Sequence, residues 1–295
     1  MKPVIASAVL AAVAVVAAPA LANPGPEVEI DHAVARVAVV VEDRSDIAVE
    51  IEQGSAGLPA LRVTREGDDV RIDGGLRQRG LFGRRSAIRN CRTGPDGGQP
   101  GAGASVEVRN IGRVNLSDAP LIVIRTPRAV DVDASGAVFG SVGRGASSVE
   151  LENGGCGVWH IANTEGPVSL SIHGSGDMRA GTSTALDASV AGSGSVTAGA
   201  TQRLDVSVAG SGDVVIARVD GPADISIAGS GDVVVRAGTS PALSISIAGS
   251  GDVEFGGVAG DVDVSIAGAG DVSVARATGS VSRSIVGAGD IRIGD

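Results

Sequence analysis

The stretch Ser226-Ile-Ala-Gly-Ser-Gly-Asp-Val233 decides the fold, because it recurs along the C-terminal half of the chain. Close copies occupy residues 246–253 and 265–272. Looser copies begin at Ser171, Ser189, Ser207 and Ser284. Successive copies start 18 to 20 residues apart. A fixed step of this size is typical of a solenoid, in which each repeat is one coil stacked on the coil before it.

Apolar residues alternate with polar ones on both sides of each Gly-x-Gly element. One coil has Leu204, Val206 and Val208 before the glycines and Val214 and Ile216 after them. A period of two predicts half-buried β-strands, and paired glycines predict a tight corner between them. We therefore expect an all-β fold: a parallel β-helix with two sheets, hydrogen bonds between coils about 4.8 Å apart and right-handed crossovers.

The repeat register extends upstream of the obvious copies. The apolar columns of 130–138 match those of 206–214, and residues 149–157 supply another coil. This gives nine corners and predicts a solenoid over residues 116–295. Residues 23–115 are expected to form a β-rich N-terminal cap with a Gly/Arg-rich loop at 74–103, because a solenoid end must be covered.

The N-terminus has the pattern of a secretory signal peptide. Lys2 precedes an apolar and small-residue run from Val4 to Ala18, and Pro19-Ala-Leu-Ala22 follows. We expect residues 1–22 to be removed; a transmembrane anchor fits less well, since it needs about 20 apolar residues. The expected location is the periplasm or cell envelope of a bacterium.

The two cysteines are Cys91 and Cys156. In an exported protein they can form a disulfide that ties the N-terminal region to the solenoid. Two inert thiols, or half of a metal site with His160, are the alternatives.

Charge and aromatic content exclude some classes of partner. From Leu116 onward, 10 arginines face 20 acidic residues, which disfavours nucleic-acid binding. The chain has 3 Phe, 1 Trp and no Tyr, too few for an aromatic-lined sugar groove.

Aspartates occupy one corner position of the repeat: Asp177, Asp213, Asp232, Asp252, Asp271 and Asp290. Stacked carboxylates repel one another, so each is expected to accept hydrogen bonds from turn amides. A ladder of calcium ions along Asp213, Asp232, Asp252, Asp271 and Asp290 is the alternative. The spacing differs from the calcium-binding nonapeptide G-G-x-G-x-D-x-U-x.

Serines form a second, outward-facing column that includes Ser207, Ser226 and Ser246. A serine hydrolase needs a base and an orienting acid at one hydroxyl. The three histidines, His32, His160 and His173, do not suggest that arrangement. We expect no catalytic residue and no cofactor other than the calcium alternative.

Six arginines without an intervening acidic residue suggest an anionic partner: Arg77, Arg79, Arg84, Arg85, Arg89 and Arg92. Lipopolysaccharide, a phospholipid surface or the acidic ladder of another copy would satisfy them. In the last coil, Arg283 stands in a core column, where a charge hinders edge-to-edge pairing. Self-association through the solenoid ends stays open.

Val132-Asp-Ala-Ser-Gly-Ala-Val138, followed by repeated Ile-Ala-Gly-Ser-Gly-Asp-Val, resembles the bacterial head GIN domain family of auto-transporter adhesins. The segment 120–127 before the first coil is similar to the strand and proline entry of that family. The resemblance covers about residues 28–295. It implies an exported parallel β-helix without known catalytic residues, so no functional site is carried over from it.

The first functional hypothesis is therefore a non-enzymatic solenoid of the envelope that is structural, adhesion-like or binds an envelope protein or polymer. The alternative is a polysaccharide-processing or polysaccharide-binding β-helix protein, because fold alone does not decide function.

Overall fold

The computed structural model describes residues 25–80, 83–95 and 99–294. The proposed signal peptide, residues 1–22, lies outside them. Apart from a single 3₁₀ turn at Leu116–Asp118, the regular elements of the described residues are strands. The first ten strands are β1 (Glu27–Val41), β2 (Ala48–Glu52), β3 (Arg62–Glu66), β4 (Asp69–Asp73), β5 (Arg77–Gly80), β6 (Gly83–Ser86), β7 (Ile88–Arg92), β8 (Ser105–Val108), β9 (Gly112–Asn115) and β10 (Leu121–Thr126).

The remaining strands form the coils that the repeat predicts. They are β11 (Ala129–Val142), β12 (Ser148–Asn153), β13 (Val158–Ile161), β14 (Pro167–Gly174), β15 (Asp177–Ala180), β16 (Ala185–Gly192), β17 (Val196–Thr201), β18 (Leu204–Gly210), β19 (Val214–Asp220), β20 (Ala223–Gly229), β21 (Val233–Val235), β22 (Gly238–Gly249), β23 (Val253–Gly268), β24 (Val272–Ala277), β25 (Val281–Gly287) and β26 (Ile291–Ile293).

Neighbouring coils pair in parallel and in the register of the repeat. In the first sheet, β18 pairs with β20 from Leu204↔Ala223 to Gly210↔Gly229, and β20 pairs with β22 in the same way. In the second sheet, β19 pairs with β21 and β21 with β23. The prediction of a stacked parallel solenoid is confirmed, with about nine turns.

The core is a continuous aliphatic stack between the sheets. Val206, Ile225, Ile245 and Val264 occupy one inward column, and each is at most 2% exposed. Burial of such a side chain stabilises the fold by about 1.5–3 kcal/mol. Because every coil repeats the same inward positions, the apolar contact is continuous along the axis.

The two-sheet expectation is incomplete, since each coil has a short third side. Val219 pairs with Gly238 there, and Thr201, Ser240 and Ala259 are also buried. The Thr201 hydroxyl donates to the carbonyl of Arg203 at 2.9 Å, and the Ser240 hydroxyl donates to that of Ala242 at 2.8 Å. These local bonds allow polar side chains in the core, which is why hydrophobic alternation did not reveal this side.

Strand β1 belongs to the solenoid, although the predicted cap spans 23–115. It pairs in parallel with β11 from Glu27↔Asp131 to Val39↔Val142, with an irregularity at the corner. On its other side it pairs with β4 and β10. β3 and β2 then close this end, because they run antiparallel to β4 and β10 respectively. Strands β2, β3, β4 and β10 thus lie beyond β1 at this end of the stack.

Residues 74–120 form a subdomain inserted between β4 and β10. The expected loop at 74–103 contains the hairpin β5–β6 and strand β7, and β7 continues into an antiparallel sheet with β8 and β9. A second apolar cluster, including Val106, Leu116 and Phe139, attaches this subdomain to the outside of the solenoid. Strand structure was not expected here, because the apolar residues are few and arginine and glycine dominate.

The last coil has the expected charge in a core column, since Arg283 lies opposite Val264. Val281, Ile285 and Val286 are 40%, 42% and 74% exposed. Self-association through this end stays a prediction.

No helix in the described part of the chain is long and apolar enough to cross a bilayer.

Candidate functional site: the acidic face and the corner columns

One outward column of the first sheet is acidic along most of the solenoid. Its positions follow one another in register from coil to coil. We call its carboxylates the acidic row: Glu27, Asp131, Glu150, Asp187, Asp205, Asp224 and Asp263. Ser169, Ser244 and Ser282 fill the remaining three positions of this column. Members in neighbouring coils lie one strand spacing apart, about 4.8 Å, and members separated by a serine lie two spacings apart.

The acidic row lies beside open depressions where each coil enters the first sheet. One, of about 420 Å³, is lined by Asp131, Glu150 and Asp187; a second of the same volume is lined by Asp224 and Asp263. Arg203 lies between them and lines both. The row is thus accessible along its length.

Mutual repulsion and partial burial raise the pKa of several carboxyls on this face. Burial, followed by the charge of Glu150, raises the pKa of Asp131 to about 6. In the next column, burial and then Glu152 raise the pKa of Asp133 to about 6. Burial and the neighbouring Asp205 also raise the pKa of Asp187. Binding of protons or cations to such a face neutralises its charge and stabilises it.

These pKa values predict that the contribution of Asp131 and Asp133 to stability becomes more favourable as pH falls from 7.5 to 5, whereas the lowered pKa values of His32 and His160 act in the opposite direction. Asp131 and Asp133 bind protons more tightly in the folded state than at the unfolded pKa of 3.8. Their unfavourable contribution is therefore complete above pH 7 and is relieved as pH falls through 6. Discounted for solvent screening, the gain is about 1–2 kcal/mol, measurable by urea denaturation across this range.

The double variant Asp131→Asn, Asp133→Asn should be more stable at pH 7.5 and lose this part of the pH dependence. Asp43→Asn with Asp68→Asn, at exposed positions off the face, should keep it. Equal pH slopes in wild type and in the Asp131, Asp133 variant would contradict the assignment.

The serine column is aligned as predicted. Ser189, Ser207, Ser226, Ser246, Ser265 and Ser284 follow one another in register. The same column begins with Glu29, Asp133 and Glu152 in the first coils. The hydroxyls thus border the acidic row on the same flat face.

The corner aspartates are satisfied by backbone amides, as turn chemistry suggests. The carboxylates of Asp213, Asp232, Asp252 and Asp271 each accept the amide N–H of the next aspartate in the ladder, at 2.8–3.1 Å. Asp177 accepts the amide of Ser195 in the same way. One oxygen per carboxylate is thereby committed to holding adjacent corners together.

No group of three or more His, Cys, Asp or Glu side chains in the described residues forms a metal-binding cluster. The calcium ladder stays a prediction. A thermal melt with millimolar calcium or with chelator tests it.

A serine–histidine–acid arrangement is not formed where Asp31, His32 and Ser135 meet. Ser135 accepts the backbone N–H of His32 at 3.0 Å and donates to Asp31 at 3.1 Å. The imidazole of His32 takes no part in either bond. Nε2 of His173 lies 3.5 Å from a carboxylate oxygen of Glu152. Burial, followed by the charge of Arg179, lowers the pKa of His160.

The six predicted arginines do not present one described surface. Arg77 pairs with Asp31 at 3.1 Å, whereas Arg89 and Arg92 are exposed on β7. Arg79 and Arg84 are cross-strand neighbours on the hairpin β5–β6, and Arg85 follows Arg84. The side chains of Arg79, Arg84 and Arg85 lie outside the described part.

Cys91 and Cys156 are joined as a disulfide, with their Cα atoms 6.1 Å apart. The bond links β7 to the corner between β12 and β13. It therefore fixes the inserted subdomain to the solenoid.

The acidic row was missed by the sequence reasoning, which singled out the aspartates after the glycines. Its signal was present as an acidic residue two positions before the column serine, as in Asp205-Val-Ser207, Asp224-Ile-Ser226 and Asp263-Val-Ser265. The alternation of apolar and polar residues placed these acidic residues on the outer face. It did not show that acidic residues of successive coils lie next to one another.

Comparisons with known proteins agree with this architecture. A crystal structure titled "Putative lipid binding protein from Parabacteroides distasonis ATCC 8503" is similar to the chain, with a TM-score of 0.52 and 16% identity. The match covers 92% of this chain and 93% of that one, and it shows a shared fold. A search of curated proteins found no significant match.

The family model described as "Putative auto-transporter adhesin, head GIN domain" matches residues 32–218 and 220–294. A β-solenoid in an adhesin-type family fits a binding or adhesion role and suggests an exported protein. The match covers nearly the whole described chain, and the chain therefore belongs to the head GIN domain family.

Proposed function

We propose that this protein is a non-enzymatic binding protein of the bacterial periplasm or cell envelope, and that it binds a basic segment of another protein along its acidic row. The observation that supports this most directly is the register of the row. Five of its members in the solenoid proper, Asp131, Glu150, Asp187, Asp205 and Asp224, fall within six consecutive coils.

The row has little internal neutralisation: the charge of Arg203 acts on Asp187, but the described residues show no ion pair to a member of the row. Of the ion pairs on the outer face of the first sheet, the described residues show Arg71 with Glu29 and His173 with Glu152, both in the neighbouring column. Apart from Arg203, the acidic row relies on solvent for screening, and burial followed by the charge of Glu150 raises the pKa of Asp131. A spaced set of lysine or arginine side chains would remove that repulsion and gain ion pairs.

A protein partner is favoured over a neutral polysaccharide by the chemistry of this face. Sugar rings are usually held against aromatic side chains, and this face is made of carboxylates, hydroxyls and small residues. Complementary charge also speeds association and gives specificity.

The test is titration of a fluorescent decalysine peptide with the full mature chain at low ionic strength. The variant Asp187→Asn, Asp205→Asn, Asp224→Asn should bind about tenfold more weakly, since each exposed pair contributes roughly 0.2–1 kcal/mol. The matched control Asp43→Asn, Glu52→Gln, Asp68→Asn removes equal charge elsewhere and should bind nearly as wild type. Binding should also weaken with salt.

Equal losses in the two triple variants would show that only net charge matters, and would contradict the assignment of the face. Absence of saturable binding to wild type would contradict it as well.

One observation favours the second candidate, a polysaccharide-processing enzyme. Burial raises the pKa of Asp131 and of Asp133 to about 6, and these residues are in register with Glu150 and Glu152; a carboxyl group with a raised pKa beside a second carboxyl group is the arrangement used in glycoside hydrolysis. A screen for glycosidase and uronide-lyase activity separates the two. Turnover that is lost in Asp131→Asn or Asp133→Asn would favour the enzyme.

A further inference from the structure

An open cavity of about 600 Å³ lies where β7 of the inserted subdomain faces the corners of the first coils. His32, Arg89, Ser135, His173 and Ser175 contribute to its lining, as does the disulfide. Its volume is within the range of small-molecule sites. None of the residues of the acidic row lines it, so it is a separate surface.

The residues that depart from the repeat converge on this cavity. His173 occupies a column that continues as Ala191, Ala209 and Ala228. Cys156 occupies the corner position that is Ser175 in the next coil. The stack does not require these departures, because the later coils form the same corners with alanine and serine.

The walls of the cavity are held in place by local structure. His32 and Asn90 both have left-handed backbone conformations, with φ of 47° and 42°. The Asn90 side chain donates to Glu107 at 2.7 Å, and Ser135 bonds the backbone of His32. With the disulfide on one side, the cavity is preorganised.

Several hydrogen-bonding groups in the cavity have no partner among the described residues: the guanidinium of Arg89, the ring of His32 and the hydroxyl of Ser175. Carboxylates near the cavity are already engaged: Asp31 by Arg71 and Arg77, Glu152 by His173, and Glu107, which lies opposite Arg89 in the strand pair, by Asn90. Burial, followed by the charge of Arg77, lowers the pKa of His32, so its ring is neutral at pH 7. One unpaired cation and several neutral hydrogen-bonding groups remain.

We propose that this cavity binds a small hydroxylated carboxylate, a sugar acid, with the carboxylate on Arg89 and the hydroxyls on His32, His173 and Ser175. A guanidinium binds a carboxylate through two parallel hydrogen bonds. The neutral imidazole of His32 and the Ser175 hydroxyl both donate and accept, and His173, whose Nε2 faces Glu152, has its other ring nitrogen left, which suits sugar hydroxyls. Of the six arginines that suggested an anionic partner, this assigns Arg89 to a specific site.

Isothermal titration of the full mature chain with D-glucuronate tests the proposal, with D-glucose and inorganic phosphate as comparison ligands. Glucuronate should bind saturably. Glucose, which lacks the carboxylate, and phosphate, which lacks the sugar hydroxyls, should bind at least about tenfold more weakly. Arg89→Gln and His173→Ala should each weaken glucuronate binding by about tenfold. Arg62→Gln, an exposed arginine on β3, should have no effect.

His173→Ala restores the alanine of the later coils, so it should keep the fold, which circular dichroism checks. Decalysine binding should be unchanged in Arg89→Gln, so failure here is distinguishable from failure of the acidic-row proposal. The proposal is overturned by no saturable glucuronate binding up to about 10 mM. It is also overturned by wild-type affinity in both variants, or by phosphate binding as tightly as glucuronate.

Discussion

Replacing Gly229 with alanine is expected to lower the free energy of unfolding by about 3–5 kcal/mol. Gly229 has φ of +147°, which side-chain-bearing residues rarely adopt, and a Cβ would overlap the carbonyl oxygen of Gly210 in the coil below. That oxygen also accepts the amide of Ser230 at 2.8 Å, so it cannot move away without losing a bond between coils. Chemical denaturation followed by circular dichroism measures the change.

Gly112→Ala is the matched control, because it separates backbone strain from lack of space. Gly112 also has positive φ, +99°, but no atom lies within 4 Å of a Cβ built there. It should cost only about 1 kcal/mol. Equal costs at Gly229 and Gly112 would show that the corners are not closely stacked.

Removing the disulfide is expected to lower stability by roughly 2–4 kcal/mol. Cys91 and Cys156 are 65 residues apart, and closing a loop of that length costs the unfolded chain about 4 kcal/mol of entropy. The apolar contacts of Leu116 and Phe139 continue to hold the inserted subdomain in the variant, which limits the loss. The double variant Cys91→Ser, Cys156→Ser removes the bond. Serine is compatible with the corner at position 156, because the next coil has Ser175 at the equivalent position.

Hydrogen exchange should locate the effect of that variant. Amides of 87–116 should exchange faster, while coils from residue 204 onward keep wild-type protection. Reduced wild-type protein should behave like the variant. Unchanged exchange in 87–116, or a loss of protection spread evenly along the solenoid, would contradict the role assigned to the bond.

The repeating part of this structure could be predicted from sequence because each coil restates the same local rules. Alternation at Val206 and Val208 assigned the core face, and the glycine pairs assigned the corners. The amide bonds of the corner aspartates followed from turn chemistry. The serine column followed from the repeat register alone.

The rest depends on contacts that the local pattern does not contain. Strand β1 enters the stack between β4 and β11, far from its partners in sequence, and its irregular corner places Ala33 in register with Gly136, after His32 in a left-handed conformation. On the third side, Thr201 and Ser240 lie in the core because their hydroxyls form local hydrogen bonds. A search for alternating apolar residues does not detect such positions. The cavity beside β7 arises only when the inserted subdomain folds back onto the corners.

The most direct test of the central claim, that the protein binds through its acidic row, is hydrogen exchange of the mature chain with and without saturating decalysine. The account predicts added protection in the first-sheet strands β12, β14, β16, β18 and β20, and none in the second-sheet strands β13, β15 and β17. Protection confined to the second sheet or the inserted subdomain would contradict it.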